Sequence, residues 1–242
     1  MDRILSGVPG MDELLGGGLP KGRTILVSGA CGTGKTIFVS HFVQEGVKQN
    51  ENCVYVTFEQ MKEKLNEDLK EIGIDFSRME AEDKLTVVGG PVGHIKFFKE
   101  KTKANMFDIS NEIKEVIQEK NATRVVIDSI NLFTMLFEND LERRKAMAEL
   151  TSMLEKLNCT TLLTCEVREG TKDISWYGFE EFVVDGVIAL YRIFFENSFE
   201  RAISVVKMRG IEHSHSMKSM QITKDGLIVY PEQEPFHDVK KE

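Results

Sequence analysis

The sequence contains few cysteines, and nothing in their spacing would pair them. The four cysteines are scattered along the chain, and none of them belongs to a C-x-x-C pair. A chain of 242 residues is long enough to bury a core without disulfide bonds. We therefore expect reduced thiols, as in cytoplasmic proteins, and not a disulfide-stapled secreted scaffold.

An apolar leader and long apolar runs are missing as well. The N-terminus has an acidic residue at position 2 and no apolar core, so we expect no signal peptide. The most apolar stretch, residues 182–195, is interrupted by Asp185 and Arg192 and is too short to span a bilayer. The sequence thus predicts a cytoplasmic protein without membrane insertion.

Basic residues are outnumbered by acidic ones. The 31 Lys and Arg residues and 39 Asp and Glu residues give a formal net charge of −8 and a pI near 5.3. Since non-specific binding to DNA or RNA depends on basic surface, a nucleic-acid partner would need a local basic groove and is not favoured. Hydrophobic residues make up 41% of the chain and charged residues 29%, which indicates a folded globular protein.

One complete phosphate-binding motif, which we call the P-loop, is present near the N-terminus. Residues 29–36, G-A-C-G-T-G-K-T, match G-x-x-x-x-G-K-[ST], with a strand predicted at 24–28 and a helix at 37–48. The glycines let backbone N–H groups turn toward a phosphate, Lys35 can reach the β- and γ-phosphates, and the Thr36 hydroxyl can bind Mg²⁺. A glycine turn without a ligand is the alternative. The residues predicted to hold the nucleotide here are Cys31, Gly32, Thr33, Gly34, Lys35, Thr36 and Ile37.

Strands and helices alternate through the first two thirds of the chain. Predicted strands lie at residues 24–28, 53–58, 83–88, 123–128 and 160–165. Helices predicted from helical spacing of apolar residues lie at 37–48, 61–72, 109–119 and 141–157. Four further strands follow without helices between them, at 183–195, 201–208, 217–223 and 227–230. This order predicts one α/β domain over 1–242, with a mainly parallel central sheet flanked by helices and a C-terminal antiparallel β extension.

Three segments fit neither pattern. Residues 4–22 are rich in glycine and predict turns, since they lack the Lys-Thr ending and the following helix of a second phosphate loop. Residues 91–107 contain several lysines and predict a loop or short helix with a solvated basic surface. Residues 231–242 are polar and predict a mobile tail.

Acidic residues stand at the carboxyl ends of three predicted strands, where ligands bind in open parallel sheets. Asp128 follows an apolar strand, as a Walker B aspartate does, and would hold Mg²⁺ through water together with Thr36. Glu59 is the best candidate for the base that activates the attacking water, on a strand expected to lie close to the P-loop strand. Alternatively, Glu59 is an acid favoured by the dipole of helix 61–72. Glu166 would sense water or the γ-phosphate, or be only a polar strand end.

Six stretches between about Ile4 and Phe236 match, in order, the sequence pattern of one known family. They are residues 7–12 with 17–22, the P-loop, 55–59, 126–129, 177–186, and 206–210 with His213. In these stretches the chain resembles a single KaiC-type domain of the RecA-like P-loop ATPases. The resemblance implies a RecA-like fold and Mg²⁺-dependent binding and hydrolysis of ATP.

The resemblance also implies an oligomer, in which ATP lies between neighbouring subunits of a hexameric ring. The residues that match the family's trans-acting cations are Lys207 and Arg209, which would reach the γ-phosphate of the adjacent subunit's ATP. Met208 and His213 would line the same interface, and Thr223 would lie near the nucleotide. On the sequence alone, Lys207 and Arg209 could equally be surface cations at a strand end.

The chain departs from the family pattern in two places. Glu59 is followed by Gln60, where a second glutamate is common, so activity falls if both glutamates share the work. Thr171 and Ser175 are isolated hydroxyls, unlike the adjacent phosphosites of the autokinase half of KaiC, so autophosphorylation is not expected. The leading prediction is a regulatory or signalling ATPase with an unknown protein partner. The alternatives are an ATP-binding assembly scaffold with little turnover, as in the KaiC-like component of the archaellum motor, and an ATPase linked to DNA recombination.

Overall fold

A nine-stranded sheet runs through the computed structural model, which describes residues 1–90, 106–195 and 197–235. Near the N-terminus of this described part, β1 (Arg3–Ile4) and β2 (Leu19–Pro20) form a separate antiparallel pair. The strands of the large sheet are, in chain order, β3 (Thr24–Gly29), β4 (Cys53–Thr57), β5 (Leu85–Gly89), β6 (Arg124–Asp128), β7 (Thr160–Glu166), β8 (Gly186–Phe195), β9 (Ser198–Met208), β10 (Lys218–Thr223) and β11 (Gly226–Tyr230).

Helices cover both faces of this sheet. They are α1 (Met11–Leu14), α2 (Lys35–Lys48), α3 (Lys62–Lys70), α4 (Phe76–Ala81), α5 (Met106–Lys120), α6 (Ile130–Thr134), α7 (Asp140–Lys156) and α8 (Glu180–Val183). Helices α1 to α4 bury their apolar residues against one face, and α5 to α7 bury theirs against the other. Each face therefore has its own apolar core, and these elements form three layers.

The strand order is β11-β10-β9-β8-β3-β7-β6-β4-β5. The strands from β5 to β8 in this order pair in parallel, whereas β9, β10 and β11 pair antiparallel. The predicted fold class, a mainly parallel sheet with helices on its faces and an antiparallel extension, is thereby confirmed. The carboxyl ends of β3, β4, β6 and β7 meet at one edge of the sheet, where ligands bind in such folds.

The strand predicted at 183–195 is wrong at its start, because helix α8 occupies the residues before β8. The Glu180 carboxylate accepts the backbone N–H groups of Tyr177 and Phe179 and fixes the turn that leads into this helix. Val184 then packs into the core beside α7, and β8 begins at Gly186. A run of apolar residues could not distinguish these two environments.

The short helices α4 and α6 have no counterpart in the prediction, since each is too short to show helical spacing of apolar residues. The Asp75 side chain caps α4 by accepting the backbone N–H of Arg78 at 3.0 Å. The glycine-rich segment at 4–22 does form turns, but it also holds α1, β1 and β2. Gly18 in this segment has φ +120, and a Cβ there would meet the Ile4 carbonyl oxygen at 2.5 Å.

Two predictions fall wholly or partly outside the described residues. The loop or short helix predicted at 91–107 lies outside them except for its last two residues, which begin α5. Residues 236–242 of the predicted tail also lie outside the described residues. Gln233 belongs to the described part of this tail, and its carbonyl oxygen accepts the Ser219 backbone N–H at 2.9 Å. Within the part of the chain that the structure describes, no helix combines the length and apolar character needed to cross a bilayer.

Candidate active site

The phosphate-binding loop joins the carboxyl end of β3 to the first turn of α2. Gly32 and Gly34 adopt φ +73 and φ +103, which favour glycine, and a Cβ on Gly29 would lie 2.6 Å from the Leu190 carbonyl oxygen. No side chain of the described residues caps the N-terminus of α2. The N–H groups of its first turn are therefore available to an anion, whose negative charge the helix dipole favours.

Lys35 extends back along this loop from the first turn of α2. Its Nζ donates hydrogen bonds to the carbonyl oxygens of Gly29, at 2.9 Å, and Ala30, at 3.2 Å. The Glu166 carboxylate lies 4.0 Å from the same nitrogen. These contacts hold a buried ammonium group beside the loop, where it can meet the phosphates of a nucleotide. The remaining loop residues differ in exposure, since Cys31 is exposed and Thr33 is buried.

Thr36 and Asp128, the two predicted metal-binding residues, are in direct contact. The Thr36 hydroxyl donates to Asp128 Oδ2 at 3.0 Å, and Asp128 is only 5% exposed. The contact arises because α2 runs from β3 across the sheet and packs on β6. A carboxylate and a hydroxyl oxygen are suitable partners for Mg²⁺, which keeps several waters and uses phosphate oxygens as well.

Two buried residues that were not predicted complete the surroundings of Asp128. The Tyr55 phenol donates to Oδ2 at 2.6 Å, and the Thr164 hydroxyl donates to Oδ1. Burial raises the pKa of Tyr55 well above its usual value, and the Asp128 carboxylate adds to the rise. The phenol therefore stays protonated and remains a donor. Only the sheet register reveals these contacts, since β4 and β7 flank β6.

Glu59 follows β4 at the same edge of the sheet as Asp128. The pairing of Thr57 with Asp128 and a 2.7 Å hydrogen bond from the Phe58 backbone N–H to the Asp128 carbonyl oxygen fix this position. The expectation that β4 lies close to β3 is wrong, since β7 and β6 intervene. Because α2 crosses to β6, Thr36 nevertheless approaches the same group of acids.

The environment of Glu59 raises its pKa above the usual value of 4.5. Although Glu59 is exposed, desolvation by the surrounding protein is the largest cause. The carboxylates of Asp128 and Glu166 add to the rise, whereas the Ser129 hydroxyl and Lys35 act in the opposite direction. A raised pKa makes a carboxylate a better proton acceptor once it is ionised. Glu166 is itself held by Asn131, whose Oδ1 accepts the Glu166 backbone N–H at 2.7 Å.

Two arginines on the β8–β9 hairpin, which were not predicted as site residues, lie beside the phosphate-binding loop. Arg192 and Arg201 are opposite each other in the register of the two strands. Arg201 Nη2 lies 3.5 Å from the Gly32 carbonyl oxygen, and the Arg192 guanidinium stacks 3.9 Å above the Phe199 ring. They place positive charge next to the loop from within the same chain.

Thr223 lies at the same edge of the sheet as the P-loop. Its hydroxyl donates to the Gly226 carbonyl oxygen at 3.2 Å and so closes the β10–β11 turn. The preceding residue, Ile222, has its Cδ1 3.0 Å from the position of a Cβ on Gly34. The β10–β11 hairpin therefore contacts the P-loop of its own chain.

Lys207 and Arg209 lie at the opposite edge of the sheet, where the parallel strands begin. In the sheet register Gly29 is level with Leu190 and Ile203, whereas Lys207 pairs with Val187. The four residue-to-residue steps along β9 from Ile203 to Lys207 span roughly 13 Å, and the P-loop extends in the other direction from Gly29. These cations cannot contact a nucleotide bound to the P-loop of the same chain.

The contacts of Lys207 and Arg209 keep both cations at this edge. Lys207 Nζ donates to the carbonyl oxygens of Glu181, at 3.0 Å, and Val184, at 2.6 Å. Burial, followed by the neighbouring charge of Arg209, lowers the pKa of Lys207. The Arg209 side chain is 57% exposed, with Nη1 3.8 Å from an Asp185 carboxylate oxygen. Arg209 is thus the more accessible of the two cations.

The two remaining predicted interface residues have different surroundings. Met208 is 5% exposed and packs under Gly186, so its side chain belongs to the core. His213 is partly exposed, with Nδ1 2.9 Å from the Ser214 carbonyl oxygen, and the Ser214 backbone N–H donates to the Leu14 carbonyl oxygen of α1. Neither side chain contacts the P-loop of its own chain among the described contacts.

Comparison with known proteins places this geometry in a family. A family model described as "ATPase: KaiC" matches residues 4–234. A UPF0273 protein of Thermotoga maritima is 33% identical over 95% of this chain and 96% of its own length. The circadian clock protein KaiC3 of a Synechocystis species is 30% identical over 96% of this chain, which spans 46% of that longer protein.

A solved structure agrees with this assignment. The crystal structure of a KaiC-like protein from Pyrococcus horikoshii superposes with a TM-score of 0.84 at 33% identity, over 95% of this chain and 99% of the other. The residues that the family model matches include the P-loop and the strands that carry the acids. The chain is a member of the KaiC family of nucleotide-binding ATPase domains.

Proposed function

We propose that this chain is a Mg²⁺-dependent ATPase that works as a homo-oligomeric ring, which we expect to be a hexamer with ATP between neighbouring subunits. The observation that carries the proposal is the separation of its charges. The P-loop and acids Glu59 and Asp128 occupy one edge of the sheet, and Lys207 and Arg209 occupy the other. A subunit alone therefore holds two halves of two different sites.

The residues at the P-loop edge would divide the chemistry among them. The loop N–H groups and Lys35 would bind the β- and γ-phosphates, and Thr36 and Asp128 would hold Mg²⁺, Asp128 through water. When bound, Mg²⁺ would neutralise charge on the phosphate oxygens. Glu59 would orient a water molecule and take its proton, for which its raised pKa suits it.

The residues at the other edge would complete the site of the next subunit. Cations that reach the γ-phosphate from a neighbour stabilise the charge of the transition state and make hydrolysis depend on assembly. Arg209 is accessible for this purpose, whereas Lys207 would have to exchange its contacts with the Glu181 and Val184 carbonyl oxygens for a phosphate. His213 would line the same interface.

We further propose a regulatory or signalling role in the cytoplasm, with a protein partner that ATP occupancy or hydrolysis controls. The free state of all four cysteines supports a reducing compartment. The net charge of −8 supports a protein partner over a nucleic acid, which depends on basic surface.

The test is ATP hydrolysis by the wild type and by Glu59→Gln and Arg209→Ala, with the oligomeric state measured in the presence of Mg²⁺ and ATP. We expect a ring for the wild type and a fall of about a thousand-fold in turnover for Arg209→Ala. Arg78→Ala is the matched control, since Arg78 is an exposed arginine on α4 that pairs with Glu82, the residue that follows this helix. Undiminished turnover in both site variants would overturn the assignment.

The same measurements distinguish the alternative functions. A ring that binds ATP tightly without turnover would favour the assembly scaffold, to which the replacement of a second glutamate by Gln60 would contribute. Stimulation of hydrolysis by single-stranded DNA would favour a recombination ATPase.

A further inference from the structure

We propose that Tyr55 and Thr164 are positioning residues that fix the Asp128 carboxylate in the orientation needed for the metal ion. The proposal rests on the proposed function, because it concerns the Mg²⁺ site of that ATPase. Neither hydroxyl would touch the metal or the nucleotide. Both would act by holding the two oxygens of one carboxylate.

The first observation is the number of donors around Asp128. Oδ2 accepts from the hydroxyls of Thr36, at 3.0 Å, and Tyr55, at 2.6 Å, and Oδ1 accepts from Thr164. An ionised carboxylate has about four lone-pair sites, so these three hydroxyls leave about one for a further donor. A single metal-bound water would fill that position, which fits a metal held through water.

The second observation is where the donors come from. Tyr55 lies on β4 and Thr164 on β7, the two strands that flank β6 in the sheet. Both residues are fully buried, and their backbones are fixed by the parallel pairing on each side of Asp128. The carboxylate is thus held from both sides by rigid elements, as a preorganised site requires.

The third observation is that the Tyr55 hydroxyl is not needed for packing. Its ring contacts the Phe76 ring edge to face, with centroids 5.3 Å apart, inside an apolar core. A phenylalanine would fill the same space and remove only the oxygen. A buried hydroxyl in such a core is costly unless it is hydrogen-bonded, and its partner is the carboxylate.

The consequence concerns metal affinity. Without Tyr55, the Asp128 carboxylate can rotate toward Thr36 or accept a water in place of the phenol. Loss of such orienting partners typically lowers metal affinity by about ten-fold or more. Because the P-loop itself is untouched, nucleotide binding in the absence of metal should not change.

The experiment measures binding of a fluorescent N-methylanthraniloyl ATP over a series of Mg²⁺ concentrations, for the full-length wild type, Tyr55→Phe and Thr164→Val. Each variant is expected to need about ten-fold more Mg²⁺ for half-maximal enhancement, with unchanged affinity in EDTA. Mn²⁺ titrations followed by electron paramagnetic resonance give a second readout that does not depend on turnover.

Tyr230→Phe is the matched control, since its phenol donates to the Gln221 amide oxygen at 3.1 Å and lies at the end of the β10–β11 hairpin away from the turn that Thr223 closes. If Tyr55→Phe lowers only the unfolding midpoint and leaves the Mg²⁺ requirement unchanged, the hydroxyl serves stability and the positioning role is overturned. Should Tyr55→Phe fail to fold, Thr164→Val decides by the same criterion. A wild type that binds ATP without any effect of Mg²⁺ would overturn both this proposal and the proposed function.

Discussion

Lys207 and Lys35 lie at opposite edges of one sheet, although both are expected to meet the γ-phosphate of ATP. Lys35 is fixed at the carboxyl end of β3 by its bond to the Gly29 carbonyl oxygen. Lys207 pairs with Val187 near the start of β8, which runs parallel to β3. Two lysines so arranged can serve the same phosphate only if they belong to different subunits.

The proposed base predicts how activity and stability depend on pH. Turnover should rise with pH through the raised pKa of Glu59 and reach a plateau, and Glu59→Gln should abolish this rise together with turnover. Although Glu59 is exposed, desolvation by the surrounding protein disfavours its ionised carboxylate in the folded state, so a small part of the stability at low pH is lost as pH rises from 4.5 through the raised pKa. Glu59→Gln should therefore unfold at a higher temperature than the wild type near neutral pH, but not near pH 4, in scanning calorimetry; a lower midpoint near neutral pH would contradict this.

A second pH effect comes from His41 on α2. Its Nε2 accepts the Leu227 backbone N–H at 2.9 Å, and burial, with a smaller effect of Lys48, lowers its pKa from 6.5 to about 4. The unfolded chain then binds a proton below pH 6.5 that the folded chain does not, so stability is lost as pH falls from 6.5 toward 4.

We expect this loss to amount to roughly 2 kcal/mol between about pH 7.5 and about pH 5. His41→Gln keeps an acceptor for Leu227 without a titrating group, so urea unfolding should show a smaller acid-induced fall for this variant. An equal fall in both proteins would show that His41 does not titrate as its burial implies.

The cysteines should differ sharply in reactivity. Burial raises the pKa of Cys53 to about 12 and of Cys159 to about 11, and raises that of Cys165 as well. Cys31, in the P-loop, is exposed. A thiol reagent should therefore modify one cysteine quickly in the folded protein, and bound ATP should slow this reaction. Cys31→Ser should remove the fast phase, and a fast phase that persists would contradict the placement of Cys31.

The parts of the site that the sequence predicted are those that a local motif encodes. Lys35 and Thr36 belong to a contiguous loop, and Asp128 follows a short run of apolar, mostly β-branched residues that favours a buried strand. The fold class followed in the same way, since helical and strand periodicities alternate along the chain. Such signals need no knowledge of which strands are neighbours.

The parts that were missed depend on strand order and register. Tyr55 reaches Asp128 because β4 lies next to β6, and Arg201 reaches Gly32 because the β8–β9 hairpin is paired along its length. Neither neighbour relation is written in the spacing of residues. Because strand order could not be predicted, the expectation that Glu59 lies on a strand close to that of the P-loop was wrong.

The most direct test of a site shared between subunits is hydrolysis by mixed rings. Rings made only of Glu59→Gln subunits or only of Arg209→Ala subunits are expected to be inactive. The two variants are then refolded or co-expressed together in equal amounts, so that mixed rings form. Where an Arg209→Ala subunit supplies its P-loop and base, and a Glu59→Gln neighbour supplies its arginine, the site is intact. About one quarter of the interfaces in a random ring should be of this kind and restore turnover in proportion. Mixed rings that form and remain inactive would contradict the account.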